Sequence, residues 1–225
     1  MAYIQNWSLN AKQHFEDGDY KWICDLIPNY RTVFEIGCGA GYSTLTFILR
    51  GFEVITADLN SDAIKATKVL ISENDRNPEE IAFHELNVVH EINRAKEIAK
   101  GADIIVLCNP GGNLSNEITS YERRLLEIGG FSNEEMQSSP IDFLHKWSQI
   151  FGACATAFKA EKPILIIERV DNIDEGKQLV NQIASDMEMR LINVFFRPIR
   201  KPPEGGVYLK CGDSPMWVAA IYFPT

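Results

Sequence analysis

The chain has 225 residues, 45% hydrophobic and 24% charged, a globular composition that excludes disorder, fibre and low-complexity scaffolds. That length suits one full-sized domain, 1–225, and is short for two. Its 22 Lys+Arg against 31 Asp+Glu leave a formal charge of −9, which disfavours coating nucleic acid or an anionic membrane through global charge.

In chain order, residues 1–30 read as a helical N-terminal cover, with a helix over 19–27 that stops at Pro28. The start, Met1 to Trp7, lacks the basic and apolar regions of a signal peptide, and no apolar run reaches the ~20 residues needed to cross a bilayer. A soluble, cytoplasmic protein is expected. Strands are predicted at 32–36, 53–57, 81–86, 103–108 and 163–167, the last two apolar enough to be buried on both faces. Helices are predicted at 43–50, 61–73 and 91–100, with Ser61 as the cap of the second. Residues 111–162 are expected to form a helical insertion between the fourth and fifth strands. The chain closes with strands near 193–196 and 216–223, which flank a Pro/Gly-rich loop and should pair antiparallel. The expected fold is α/β: a Rossmann-like, seven-stranded, mostly parallel sheet with an antiparallel C-terminal hairpin and helices on both faces.

The five cysteines, Cys24, Cys38, Cys108, Cys154 and Cys211, include no C-x-x-C pair and suit scattered thiols in a reducing compartment. His14, His84, His90 and His145 lack ligand spacing, so no metal is expected. His145, near Trp147, is a candidate pocket base. Arg197, Arg200, Lys201 and Lys210 gather near the C-terminal loop, either as an anion seat or as a solvated turn. Tyr20 and Trp22, with Trp7, either cover a site or pack on the sheet.

The sharpest local signal is Glu35-Ile36-Gly37-Cys38-Gly39-Ala40-Gly41, a strand running into a glycine turn and then a helix. A dinucleotide fingerprint G-x-G-x-x-G would put its third glycine at Tyr42, so that pattern fails. The segment matches E/D-x-G-x-G-x-G, and on it the chain resembles the class I S-adenosylmethionine-dependent methyltransferases. The resemblance covers most of the chain, including the final antiparallel pair. It implies that Glu35 organises the methionine end of S-adenosyl-L-methionine while Gly37, Cys38, Gly39 and Gly41 pass beneath it. Asp58 ends the second strand, where a carboxylate can accept from both ribose hydroxyls. The resemblance implies the same role, with Leu59 near the adenine. Asn87 falls where the family often contacts the adenine amino group, though it equally suits a turn.

The end of the fourth strand, Asn109-Pro110-Gly111-Gly112, resembles the Asn/Asp-Pro-Pro-aromatic tetrapeptide of methyltransferases that act on amino nitrogens. There Asn109 and Pro110 would orient an acceptor amine, a gain from geometry more than from acid–base chemistry. Gly111 and Gly112 replace the second proline and the base-stacking aromatic, and the segment is also a good turn. The expected reaction is methyl transfer to a small-molecule or peptide-like acceptor, at nitrogen in the favoured form, with S-adenosyl-L-homocysteine as product. The alternatives are an adenine or cytosine amino methyltransferase of nucleic acid and a non-catalytic cofactor-binding protein.

Overall fold

The computed structural model describes residues 2–88, 91–108, 162–170, 172–200 and 216–225. Seven strands, β1 Thr32–Ile36, β2 Glu53–Asp58, β3 Ala82–Glu85, β4 Ile104–Cys108, β5 Ile164–Val170, β6 Arg190–Pro198 and β7 Met216–Phe223, form one sheet. Their order is β3-β2-β1-β4-β5-β7-β6. The first five are parallel, and β7 runs antiparallel between β5 and β6. The expected sheet and its closing antiparallel pair are both present.

The helices are α1 Ala2–Glu16, α2 Asp19–Asp25, α3 Tyr42–Leu49, α4 Ser61–Glu73, α5 Ile92–Ala99 and α6 Ile173–Met187. They cover both faces, because β1, β4 and β5 are largely apolar, are buried in nearly every position and must exclude water on each side. On one face Phe34, Ile105, Ile166 and Ala220 pack with Ala95 and Ala99 of α5 and with Val180, Ile183 and Met187 of α6. On the other, Val33, Val106, Leu165 and Ala219 pack with Ile23 and Cys24 of α2 and Phe47 of α3. Among the described residues no helix is long and apolar enough to cross a membrane.

Several local outcomes differ from the sequence expectation, β6 among them, which runs Arg190–Pro198 where a strand near 193–196 was expected. Helix α4 is capped by Asn60, not Ser61: the Asn60 side chain accepts from Asp62 N at 2.9 Å. Both residues are good caps, and Asn60 wins because its extended backbone (φ −100°, ψ 109°) stands just outside the first turn. Strand β5 continues to Val170, three residues past its expected end. Helix α6 was not among the predicted elements, since Gly176 and a polar first turn weaken its apolar stripe. A Cβ at Gly176 would stand 2.6 Å from Phe196 Cε1, so a larger residue there would have to displace that ring.

The cap assignment is testable by urea denaturation. Asn60→Ala should cost about 1 kcal/mol, whereas Ser61→Ala should change stability by only a few tenths.

Candidate cofactor site

Ligands of open α/β sheets bind beyond the carboxyl ends of the strands. At that edge Gly37 N donates to Ala57 O at 2.7 Å, carrying the β1–β2 ladder one residue past β1. The chain then turns, closed by Gly41 N donating to Cys38 O at 2.8 Å. Gly37, Gly39 and Gly41 have φ of +88°, +51° and +87°, values that L side chains rarely adopt. The three differ in what surrounds them. A Cβ on Gly37 or Gly39 would meet nothing within 4 Å, so both face open space. One on Gly41 would stand 2.8 Å from Thr67 Cα, where α3 and α4 touch backbone to backbone.

Two buried carboxylates brace this loop. Glu35 is fully buried, and its Oε1 accepts from Ser43 Oγ at 2.5 Å. Its Oε2 accepts from Thr44 Oγ1 at 2.5 Å and Thr56 Oγ1 at 3.0 Å. Burial pushes the Glu35 carboxyl above the usual range, with the three hydroxyls working in the opposite direction. Asp58, 9% exposed, accepts from Gly39 N at 3.0 Å and, more weakly, Cys38 Sγ on Oδ2. Its Oδ1 accepts from Asn60 N at 2.8 Å. Burial raises its pKa as well, against those same donors. A carboxylate has about four lone-pair sites, so Asp58 retains acceptor capacity for a diol.

Leu59 follows Asp58 and is half-buried. Leu86 N donates to Asp58 O at 3.0 Å, which sets Asn87 on the strand end beside Asp58. Asn87 has a turn role through its backbone: its N–H donates to Glu91 Oε1 at 3.1 Å and its carbonyl accepts from Glu91 N at 2.8 Å. Thus Glu35, Gly37, Cys38, Gly39, Gly41, Asp58, Leu59 and Asn87 gather around the carboxyl ends of β1, β2 and β3. Asn109, Pro110, His145, Lys201, Lys210 and nearly all of the 111–162 insertion lie outside the described residues.

Among the thiols, burial raises Cys24 to about 12 and pushes Cys108, at the end of β4, well above the ordinary value. Cys38 is also raised by burial, so each of the three thiols stays protonated. Of the predicted basic cluster, Arg197 is committed to an internal pair, whereas Arg200 stays largely exposed. Arg197 Nε donates to Asp19 Oδ1 at 2.8 Å and its guanidinium lies 5.8 Å from the Trp22 ring centroid. Arg200 reaches Asp17 at 3.5 Å. Sequence inspection missed Ser43, Thr44 and Thr56 as partners of Glu35, because hydroxyl residues carry no motif of their own. The buried Asp19 contacts were missed as well, since they join residues nearly 200 positions apart.

The cradle fits the methionine and ribose parts of S-adenosylmethionine: two glycines open to space, with an acidic side chain ending the next strand. No protein-family model matches the chain, and no curated protein matches it. Solved structures do. A TehB-like S-adenosylmethionine-dependent methyltransferase from Corynebacterium glutamicum superposes with a TM-score of 0.53 at 13% identity, over 100% of this chain and 99% of that one. The methyltransferase domain of bacterial CtHen1 gives 0.53 at 13%, over 92% and 97%. A precorrin 8w decarboxylase from Methanobacterium thermoautotrophicum gives 0.51 at 16%, over 92% and 89%.

Two measurements check the site's construction. Gly41→Ala should cost about 1–3 kcal/mol through overpacking against Thr67, beyond its backbone strain, whereas Gly39→Ala should cost only the strain, about 1–2 kcal/mol. Urea titrations of both variants distinguish them. The raised Glu35 pKa means the folded chain holds a proton that the unfolded chain releases. Its contribution to stability is therefore greatest below the ordinary glutamate value near 4.5 and falls as pH rises toward the folded value. Stability of Glu35→Gln relative to wild type should accordingly increase over that window, read from melting temperatures at a series of pH values.

With the strand order β3-β2-β1-β4-β5-β7-β6, the reversed β7 and these neighbours, the chain has the fold of the class I S-adenosylmethionine-dependent methyltransferases.

Proposed function

We propose that the protein is an S-adenosylmethionine-dependent methyltransferase acting on a small-molecule or peptide-like acceptor. The observation that carries this reading is the open glycine cradle between two buried carboxylates. Gly37 and Gly39 leave room where side chains would intrude, and Glu35 and Asp58 fix the loop on either side. S-adenosylmethionine, consumed as a substrate, supplies an electrophilic methyl group on a sulfonium.

The chain's own residues then have separable duties. Glu35 acts indirectly: both its oxygens are taken by hydroxyls of α3 and β2, so it sets the position of the loop on which the methionine end rests. Asp58 accepts from the ribose hydroxyls with its remaining lone pairs, and Leu59 and Asn87 border the adenine. Asn109 and Pro110, which follow β4, turn the acceptor's lone pair toward the methyl, and residues 111–162 with the N-terminal cover build the acceptor pocket. A nitrogen acceptor accords with Asn109-Pro110. The pairing of Arg197 with the buried Asp19 removes one cation from any phosphate surface and counts against a nucleic-acid substrate.

S-adenosylhomocysteine should raise the melting temperature, because a ligand that binds only the folded state stabilises it, and NAD should not. The reverse pattern overturns the reading. Asp58→Ala should weaken S-adenosylhomocysteine binding by about 1–3 kcal/mol in calorimetry. A labelled-methyl assay against extract fractions of small molecules, protein, RNA and DNA identifies the acceptor. With that acceptor, Asn109→Ala should depress turnover and leave donor affinity nearly intact.

A further inference from the structure

The two N-terminal helices are held in different ways. Helix α2 belongs to the core: its Ile23 and Cys24 are buried, and so is Ile27 just beyond it. Helix α1 lies outside, and from Ser8 to Glu16 the one buried side chain is His14. That ring docks on a polar wall built by other elements. His14 Nδ1 lies 2.9 Å from Asp19 Oδ2, and the ring stands edge-on to Trp217 of β7 with centroids 5.0 Å apart. Trp217 Nε1 donates to the same Asp19 oxygen at 2.9 Å, and Arg197 Nε of β6 donates to Oδ1 at 2.8 Å. Asp19 is only 3% exposed, so the wall is fixed to the last two strands whether or not α1 rests on it.

Between the helices the chain turns at Gly18, whose φ of +76° suits glycine and strains other residues. Arg197 also donates to Asp17 O at 3.0 Å, so it grips the turn on both sides of Gly18. The residue after His14 reaches the donor loop. The Phe15 ring lies 5.6 Å from the Tyr42 ring, centroid to centroid. Tyr42 opens α3 directly after Gly41 of the cradle, and the next two residues, Ser43 and Thr44, carry hydroxyls that hold Glu35. The seat of α1 and the shape of the cradle therefore meet at one residue.

We propose that α1 is a strap, pivoting at Gly18 and latched by His14 on the Asp19 wall, whose seating is coupled to methyl-donor binding through Phe15 and Tyr42. The inference rests on the methyltransferase reading. Seated, α1 packs Phe15 on Tyr42 and supports the first turn of α3 in the arrangement where Ser43 and Thr44 meet Glu35. Released, it leaves that turn with fewer contacts, while α2 stays in the core. A donor that needs the ordered cradle binds the seated form better, and by reciprocity it holds the strap down. Donor affinity then scales with the fraction of chains whose strap is seated.

The test is amide hydrogen exchange on the full chain, read by mass spectrometry over residues 2–16, 19–27 and 36–47, with and without S-adenosylhomocysteine. In wild type the ligand should slow exchange over 2–16 by about tenfold, together with 36–47, and leave 19–27 unchanged. His14→Ala should speed exchange over 2–16 by about tenfold in the ligand-free chain, spare 19–27, and weaken S-adenosylhomocysteine binding by about threefold or more in calorimetry. Phe15→Ala, which keeps the latch, should abolish the ligand's protection of 2–16. Should His14→Ala also raise exchange over 19–27, the half-buried Phe15 decides alone. Protection confined to 36–47 in wild type, an unchanged affinity in His14→Ala, exchange over 2–16 that ignores that substitution, or protection of 2–16 that survives Phe15→Ala each overturns the proposal. Absence of S-adenosylhomocysteine binding by wild type overturns the methyltransferase reading instead, and the latch is still read from ligand-free exchange.

Discussion

The rest of the site depends on a carboxylate buried in the middle of the sheet. Glu35 is fully enclosed, and among the described residues its hydrogen-bond donors are three hydroxyls. Burying a charge is costly unless every lone pair finds a donor, so Ser43, Thr44 and Thr56 must all stay in place once the chain folds. Two of them open α3 and the third lies in β2. One side chain thus fixes the start of a helix against two strands, and the glycine turn between Glu35 and Ser43 has no freedom to drift.

Asp58 does the complementary job from the neighbouring strand. Its oxygens hold the Gly39 amide on one side and cap Asn60 on the other, so the far wall of the cradle is also pinned by a buried charge. The two carboxylates repel each other, and the Asp58 charge adds to the rise in the Glu35 pKa. Local stability is given up to hold an acidic, rigid rim around an open space. Such strain is expected where a scaffold is pre-organised for a ligand and is hard to account for in a purely structural turn.

Much of this was legible in the chain. The strands of 32–36 and 216–223 coincide with β1 and β7, because a short β-branched and aromatic run that ends in a glycine turn, and an unbroken apolar run of eight, leave few alternatives in an α/β pattern. The glycine motif announced the turn, and the structure adds a division of labour: Gly37 and Gly39 leave space, whereas Gly41 permits helix contact. Long-range polar partnerships were not legible. Thr56 lies 21 residues from Glu35, and no local pattern links the two. Asn60 and Ser61 are adjacent caps of similar strength, so only the backbone conformation separates them. The basic character around Arg197 looked like a surface feature because its partners, Asp19 and Trp22, come from the opposite end of the chain.

That last pairing constrains how the protein is made. Asp19 bonds to Arg197 across 178 residues and to Trp217 across 198, so the N-terminal cover cannot dock until the last strand pair exists. During synthesis α1 and α2 emerge first and wait, while the parallel strands assemble behind them. Contacts of such high sequence separation form late and slowly, because the loop-closure entropy must be met before they are rewarded. The glycine cradle, with most of its bonds inside the first 60 residues, can form on the nascent chain well before its cover closes.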